Sequence, residues 1–181
     1  MTENSHTETS PSDNQAWLDA GGDLLLAVVD AEHELDRVRA AFRDHARDPG
    51  AVIGRAVRSA RLRRSALVLV RLLPQDVRRA LLPDLLAAAS VSHADMQLAQ
   101  DVVLTLPRDW LAANVEAAAE PLLHGDEPWE EHRRLLELFE EIDPNLARRF
   151  AERALRHEHP DVREAGQDTL DRLAKRPSER G

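Results

Sequence analysis

Apolar residues recur three and four positions apart along most of this chain, the spacing that lines one face of a helix. Leu24, Leu25, Val28, Leu35, Val38 and Phe42 follow it up to about His45, as one long helix or two short ones, and Asp48-Pro49-Gly50 breaks the pattern. From Ala51 to Leu73 the apolar positions are Val52, Ile53, Ala56, Val57, Leu62, Ala66, Leu69, Val70 and Leu73, and Pro74 stops the run. Helical patterns then cover roughly 75–89, 93–106, 108–124, 127–142, 144–157 and 160–175. Pro74, Pro107 and Pro144 begin alternate helices, where a missing N–H costs nothing in the first turn. Ser90-Val91-Ser92-His93, His124-Gly125-Asp126-Glu127 and His157-Glu158-His159-Pro160 are the short links between them. Helices joined by such tight turns pair as α-hairpins.

A fixed period underlies the hairpins. Ala66, Ala99, His132 and Ala165 stand 33 residues apart, as do Pro74 and Pro107. Asp95-Met96 matches Asp161-Val162, and Leu104 matches Leu170. A small residue at one place in every second helix is what close packing between stacked hairpins requires. The third copy departs, with His132 at the small position and Glu137 opposite Leu104 and Leu170.

On these residues the chain resembles the HEAT-repeat family over about residues 55–175. Leu81-Leu82-Pro83-Asp84-Leu85-Leu86 followed by Ser92-His93-Ala94-Asp95-Met96-Gln97-Leu98-Ala99 is similar to that family's kinked first helix, turn and second helix. Pro83 stands where such a helix bends, because it removes one hydrogen bond of the helix. His159-Pro160-Asp161-Val162-Arg163-Glu164-Ala165, with Leu170 and Leu173 following, is the chain's closest approach to the family's Asp-x-x-Val-Arg-x-x-Ala pattern. The resemblance implies an all-α fold, a short right-handed α-solenoid of about four helical hairpins. Residues 1–14 and 177–181 are expected to be tails, the first disordered for lack of any apolar period. Residues 15–176 form one helical-repeat domain in this reading, with 15–49 as an N-terminal helical cap and 50–176 as the repeats. Terminal repeats need a polar outer side, which the cap would supply.

Composition agrees with helices. Leucine and alanine supply 54 of 181 residues, isoleucine occurs only at positions 53 and 142, and there are six aromatic residues. Strands favour the β-branched and aromatic types that are scarce here, which excludes sandwiches, barrels and parallel α/β folds. With no cysteine, disulfides, thiol chemistry and Cys-based zinc sites are excluded. The polar start has no signal-peptide pattern and no apolar run approaches the ~18 residues of a membrane span, so a cytoplasmic location without membrane contact is expected. Arginine outnumbers lysine 23 to 1, which reads as the codon bias of a GC-rich bacterium.

Charge is unevenly distributed around a net −9. Residues 1–49 carry −7, 50–79 carry +7 and 108–144 carry −8. A global acidic balance disfavours nucleic acid as partner. The exception is Arg55, Arg58, Arg61, Arg63 and Arg64, a patch that HEAT-like DNA glycosylases would use on phosphates. No aromatic residues accompany it, and Asp30, Glu32, Glu34 and Asp36 are candidate intramolecular partners. His93, His124, Asp126, His157 and His159 fall in the turns and form two columns under the 33-residue period, an edge that could bind metal or respond to pH. No pair has the i, i+4 spacing of a zinc-binding helix, so no metal site is assigned. His157-Glu158 and His33-Glu34 resemble the His-Glu dipeptides of HEAT-like di-iron hydroxylases, but His33 lies outside the repeat register.

No Gly-rich phosphate loop or catalytic triad spacing is present, and the sequence predicts no enzyme and no cofactor. The reading is a non-catalytic scaffold, monomeric or weakly oligomeric, that binds a protein through its second helices. The alternatives are a nucleic-acid-acting protein using the Arg55–Arg64 patch and a metal-binding HEAT-like enzyme. Arg64, Gln97, Glu130 and Arg163 form one polar ladder under the 33-residue register and are candidate contacts. Trp129 is a candidate exposed anchor between Pro128 and Glu130, whereas Trp110, with Leu111 and Val115, is expected in the core. The acidic run from Glu116 to Asp143 is a solvated face or a dock for a basic partner.

Overall fold

In the computed structural model, residues 17–124 and 128–175 are described, and the expected tails lie outside them. Among the described residues the chain is all-α, with no strand. It divides into two compact units, 1–46 and 47–181.

In the first unit a π-helical turn, Leu18–Gly22, leads into α1 (Asp23–His45). Gly21 there has φ 99°, a left-handed conformation that glycine adopts without steric cost. α1 is one continuous helix of 23 residues, and none of them is buried. Arg37–Glu34 and Arg39–Asp36 are exposed pairs across one turn, of the kind that contributes little to stability.

The second unit begins with α2 (Pro49–Val57). Asp48 caps it by accepting the Ala51 N–H at 2.9 Å, and Asp143 caps the helix that starts at Pro144 in the same way through the Asn145 N–H at 2.9 Å. α3 (Arg63–Val70) follows, then α4 (Gln75–Ala80), α5 (Leu82–Ala89), α6 (Met96–Leu104) and α7 (Arg108–Ala119), which ends in a 3₁₀ segment, Glu120–His124. α8 (Pro128–Ile142), α9 (Pro144–Ala154) and α10 (Pro160–Lys175) complete it. The apolar run from Ala51 to Leu73 is therefore two helices. The break is hydrogen-bonded: Leu62 and Arg63 N–H groups donate to the Ser59 carbonyl, and Arg63 Nε donates to the Val57 carbonyl at 2.9 Å. The α4–α5 boundary falls at Leu81, two residues before Pro83, whose ring and missing N–H prevent a continuous helix.

α2 packs on α3, α5 on α6, the 3₁₀ segment on α8, and α9 on α10. First helices also touch first helices, α2 with α5 and α5 with α7. Second helices touch second helices, α3 with α6, α6 with α8 and α8 with α10. The core lies between these layers, with Leu67, Leu85, Leu86, Val102, Leu111, Phe139 and Leu146 closed to solvent. All four positions of the 33-residue column are buried, Ala66, Ala99, His132 and Ala165. His132 takes the alanine position by laying its ring against that of His157, centroids 5.1 Å apart.

Polar ties repeat nearly the same separation. Arg149 pairs with Glu116, Arg153 with Glu120 and Arg172 with Glu140, while Arg108 donates to the Glu141 and Ile142 carbonyls at the end of α8. The last tie supplies donors to helix-end carbonyls that have no partner within the helix.

Among the described glycines, the one pressed against the backbone of another helix is Gly166 on α10. A Cβ there would stand 2.8 Å from the Ala151 carbonyl oxygen and 3.0 Å from the Ala154 Cβ, both on α9. Gly166→Ala should therefore lower stability by about 1–3 kcal/mol, even though alanine favours an unconstrained helix by about 1 kcal/mol. Urea unfolding of the two proteins checks this; a more stable variant would mean the helices can separate freely.

Candidate functional site

The sequence singled out the histidine turns, the polar ladder on the second helices with Trp129 beside it, and the arginine run. In the turns, His93 Nδ1 accepts the Asp95 N–H at 3.1 Å, and His159 Nδ1 accepts the Asp161 N–H at 3.3 Å. These residues are equivalent under twice the 33-residue period, so one imidazole contact serves two turns. Accepting at Nδ1 assigns the ring proton to Nε2 in a neutral imidazole. His157 Nδ1 accepts the His159 N–H at 3.1 Å. Asp126 lies outside the described residues.

Between the end of α7 and the α9–α10 turn is a cleft of about 240 Å³, lined by Glu120, His124, His132, Phe150, Arg153 and His157 among others. Glu120 is its polar centre. Arg153 Nη2 donates to one carboxylate oxygen at 2.8 Å, and His124 Nε2 lies 3.1 Å from the other. The Arg153 hydrogen bond, with a smaller contribution from His124, holds the Glu120 carboxyl below the usual carboxylate range against the opposing effect of burial. The Arg153 guanidinium also lies 4.8 Å from the Phe150 ring centre. A carboxylate already paired on both oxygens is a poor general base and a good structural tie. Among the described residues no group of three or more His, Asp or Glu side chains is placed to hold a metal ion.

The ladder residues occupy equivalent positions on α3, α6, α8 and α10, and three of them also serve the fold. Arg64 Nη1 is 3.2 Å from Asp95, in the turn before α6. Glu130 accepts the Ser92 N–H at 2.7 Å, linking α8 to the same region. Hydrogen bonding from Ser92 is the main cause of a Glu130 carboxyl held below its usual range. Arg163 Nη1 donates to the His157 and Glu158 carbonyls at 2.8 and 2.7 Å. Gln97 instead donates within its own helix to Asp101 at 3.1 Å. Trp129 is 39% exposed at the start of α8. Trp110 is half-buried rather than fully in the core, and the Arg79 guanidinium lies over its ring at 5.1 Å.

The basic run is not one helical face. Arg55 is on α2, Arg58 and Arg61 are in the turn, and Arg63 and Arg64 open α3. Arg58 pairs with Asp84 at 2.7 Å and Arg64 with Asp95, so these two have carboxylate partners on or beside the next hairpin. Sequence reasoning passed over Arg153, and the signal was present, since it stands 33 residues after Glu120. No helix among the described residues is long and apolar enough to cross a membrane. Comparison with known protein families, characterised proteins and solved structures finds no match to this chain.

Because the folded state lowers the Glu130 pKa, its tie contributes stability above the unfolded pKa, near about 4.3, and loses it as pH falls through the folded value. Glu130→Gln should therefore be less stable than the parent at pH 7, and the difference should shrink towards zero below about pH 4. Urea unfolding across pH measures it; a difference independent of pH would remove the charge from the explanation.

Proposed function

We propose that this protein is a non-catalytic interaction scaffold: a short, right-handed, HEAT-like α-solenoid of about four hairpins that binds a protein partner in the cytoplasm. One observation carries the reading. Along α3, α6, α8 and α10 the column 66, 99, 132 and 165 is buried, while the column two residues earlier, Arg64, Gln97, Glu130 and Arg163, stays at least partly open to solvent. A register that buries one column and presents another in every hairpin is how solenoids build an extended binding face. The contacts of first helices with first helices and second helices with second support the same arrangement.

Trp129 is the anchor of this face, since a partly exposed indole supplies large contact area at low entropic cost. The −8 carried by residues 108–144 favours a basic partner. Glu130 and Arg163 hold turns in place, so their loss would disturb binding and folding together. Gln97 and Trp129 are the cleaner probes.

The tagged protein, drawn from lysate of its own source at physiological salt, should retain one stoichiometric protein. Trp129→Ala with Gln97→Arg should lose it by about tenfold or more, as removal of an interface anchor does, with helicity and unfolding midpoint unchanged. Undiminished capture by the double variant would overturn the assignment of the face. Recovery of nucleic acid in place of protein, lost on Arg55→Glu with Arg61→Glu, would overturn the scaffold reading.

A further inference from the structure

The largest exposed apolar surface among the described residues is on α1, where Leu24 is 69% exposed, Val38 54% and Leu35 46%. Its pattern is stricter than that of a helix facing a globular core. Leu24, Val28, Ala31, Leu35, Val38, Phe42 and His45 alternate at spacings of four and three over the whole of α1, three heptads of an a/d seam. With Val28, Leu35 and Phe42 at a, the positions away from the seam hold Asp30, His33, Asp36, Arg37, Arg43 and Asp44. Leu25 widens the seam at e, and Leu26 and Val29 lie behind it.

We propose that α1 is a self-association element, forming a parallel two-stranded coiled coil with α1 of a second copy. The flanking charges choose the occupant and its direction. In a parallel pair each g residue faces the e residue five positions on in the other chain, so Glu34 meets Arg39, and symmetry makes the contact twice. In the antiparallel register that pairs all six apolar seam residues, setting Leu35 against Ala31 and leaving His45 unpaired, Glu34 faces Glu34 and Glu32 faces Glu32 of the other copy. That arrangement is repulsive at both flanks. Arg39 and Glu34 now form exposed pairs with Asp36 and Arg37 inside the helix, and such pairs exchange partners at little cost. The helix spans about 34 Å, long enough for three heptads of knobs-into-holes packing.

Sedimentation equilibrium of the full chain, between about 1 and 100 μM to span micromolar association, should give twice the chain mass. Leu35→Glu with Val38→Glu should weaken the dimer by about tenfold or more, as loss of seam contacts does, and leave the unfolding midpoint of the remaining helices unchanged. The absence of native cysteine makes direction readable: Ala31→Cys at d should oxidise to a covalent dimer, and His33→Cys at the back should not. Glu34→Arg should weaken the dimer, and adding Arg39→Glu should restore it. A monomer throughout the range overturns the proposal. So does a dimer untouched by the Leu35 and Val38 changes, or one that Ala31→Cys fails to cross-link. A monomer whose remaining helices are destabilised by the Leu35 and Val38 changes would assign the seam to the chain's own residues 47–175.

Discussion

How closely neighbouring helices approach one another is the constraint on which residues 47–175 depend. Leucine and alanine bury apolar area without polar atoms to satisfy, but helices at short range leave little room for a side chain at the contact. Ala66, Ala99 and Ala165 meet that limit, and Gly166 meets a stricter one against the α9 backbone. His132 is the exception, and it is accommodated because its ring extends to the His157 ring beside the cleft. Both rings line the cleft.

Charged residues do more within this unit than keep it soluble. Arg108 supplies donors to the end of α8, while Arg153, Arg172 and Arg64 reach carboxylates 31 to 33 residues away in sequence. The three carboxylate contacts each reach a neighbouring helix pair, whereas Arg108 ties α7 to α8 within one pair. Exposed pairs of this kind contribute little singly. His93 and His159 make the same turn contact in equivalent places, so the histidine edge is in part a repeated structural device.

Much of this was legible in the sequence because it is periodic. The 33-residue alanine column, the prolines at helix starts and the short connections located nearly every hairpin helix and its buried face. Most of what escaped was not periodic. The apolar run from Ala51 to Leu73 has no proline or glycine at the break, which is closed in part by a side chain, Arg63, acting on the Val57 carbonyl. The arginine run is spread over α2, the turn and the start of α3 by that same unmarked break. Ladder positions were visible as polar, but Glu130 and Arg163 bind backbone groups, and spacing between side chains carries no information about those. The cleft needed a tertiary contact, Arg153 with Glu120, between two residues that look like ordinary surface charges.

Enlarging the buried column tests the central claim most directly. Ala99 is fully closed to solvent on α6, and leucine matches alanine closely in helix propensity while adding apolar volume. If close approach governs the packing, Ala99→Leu lowers the unfolding free energy in urea by about 1–3 kcal/mol despite the added hydrophobicity. Stability equal to the parent's, or higher, would show that the helices have room to spare and would contradict the account.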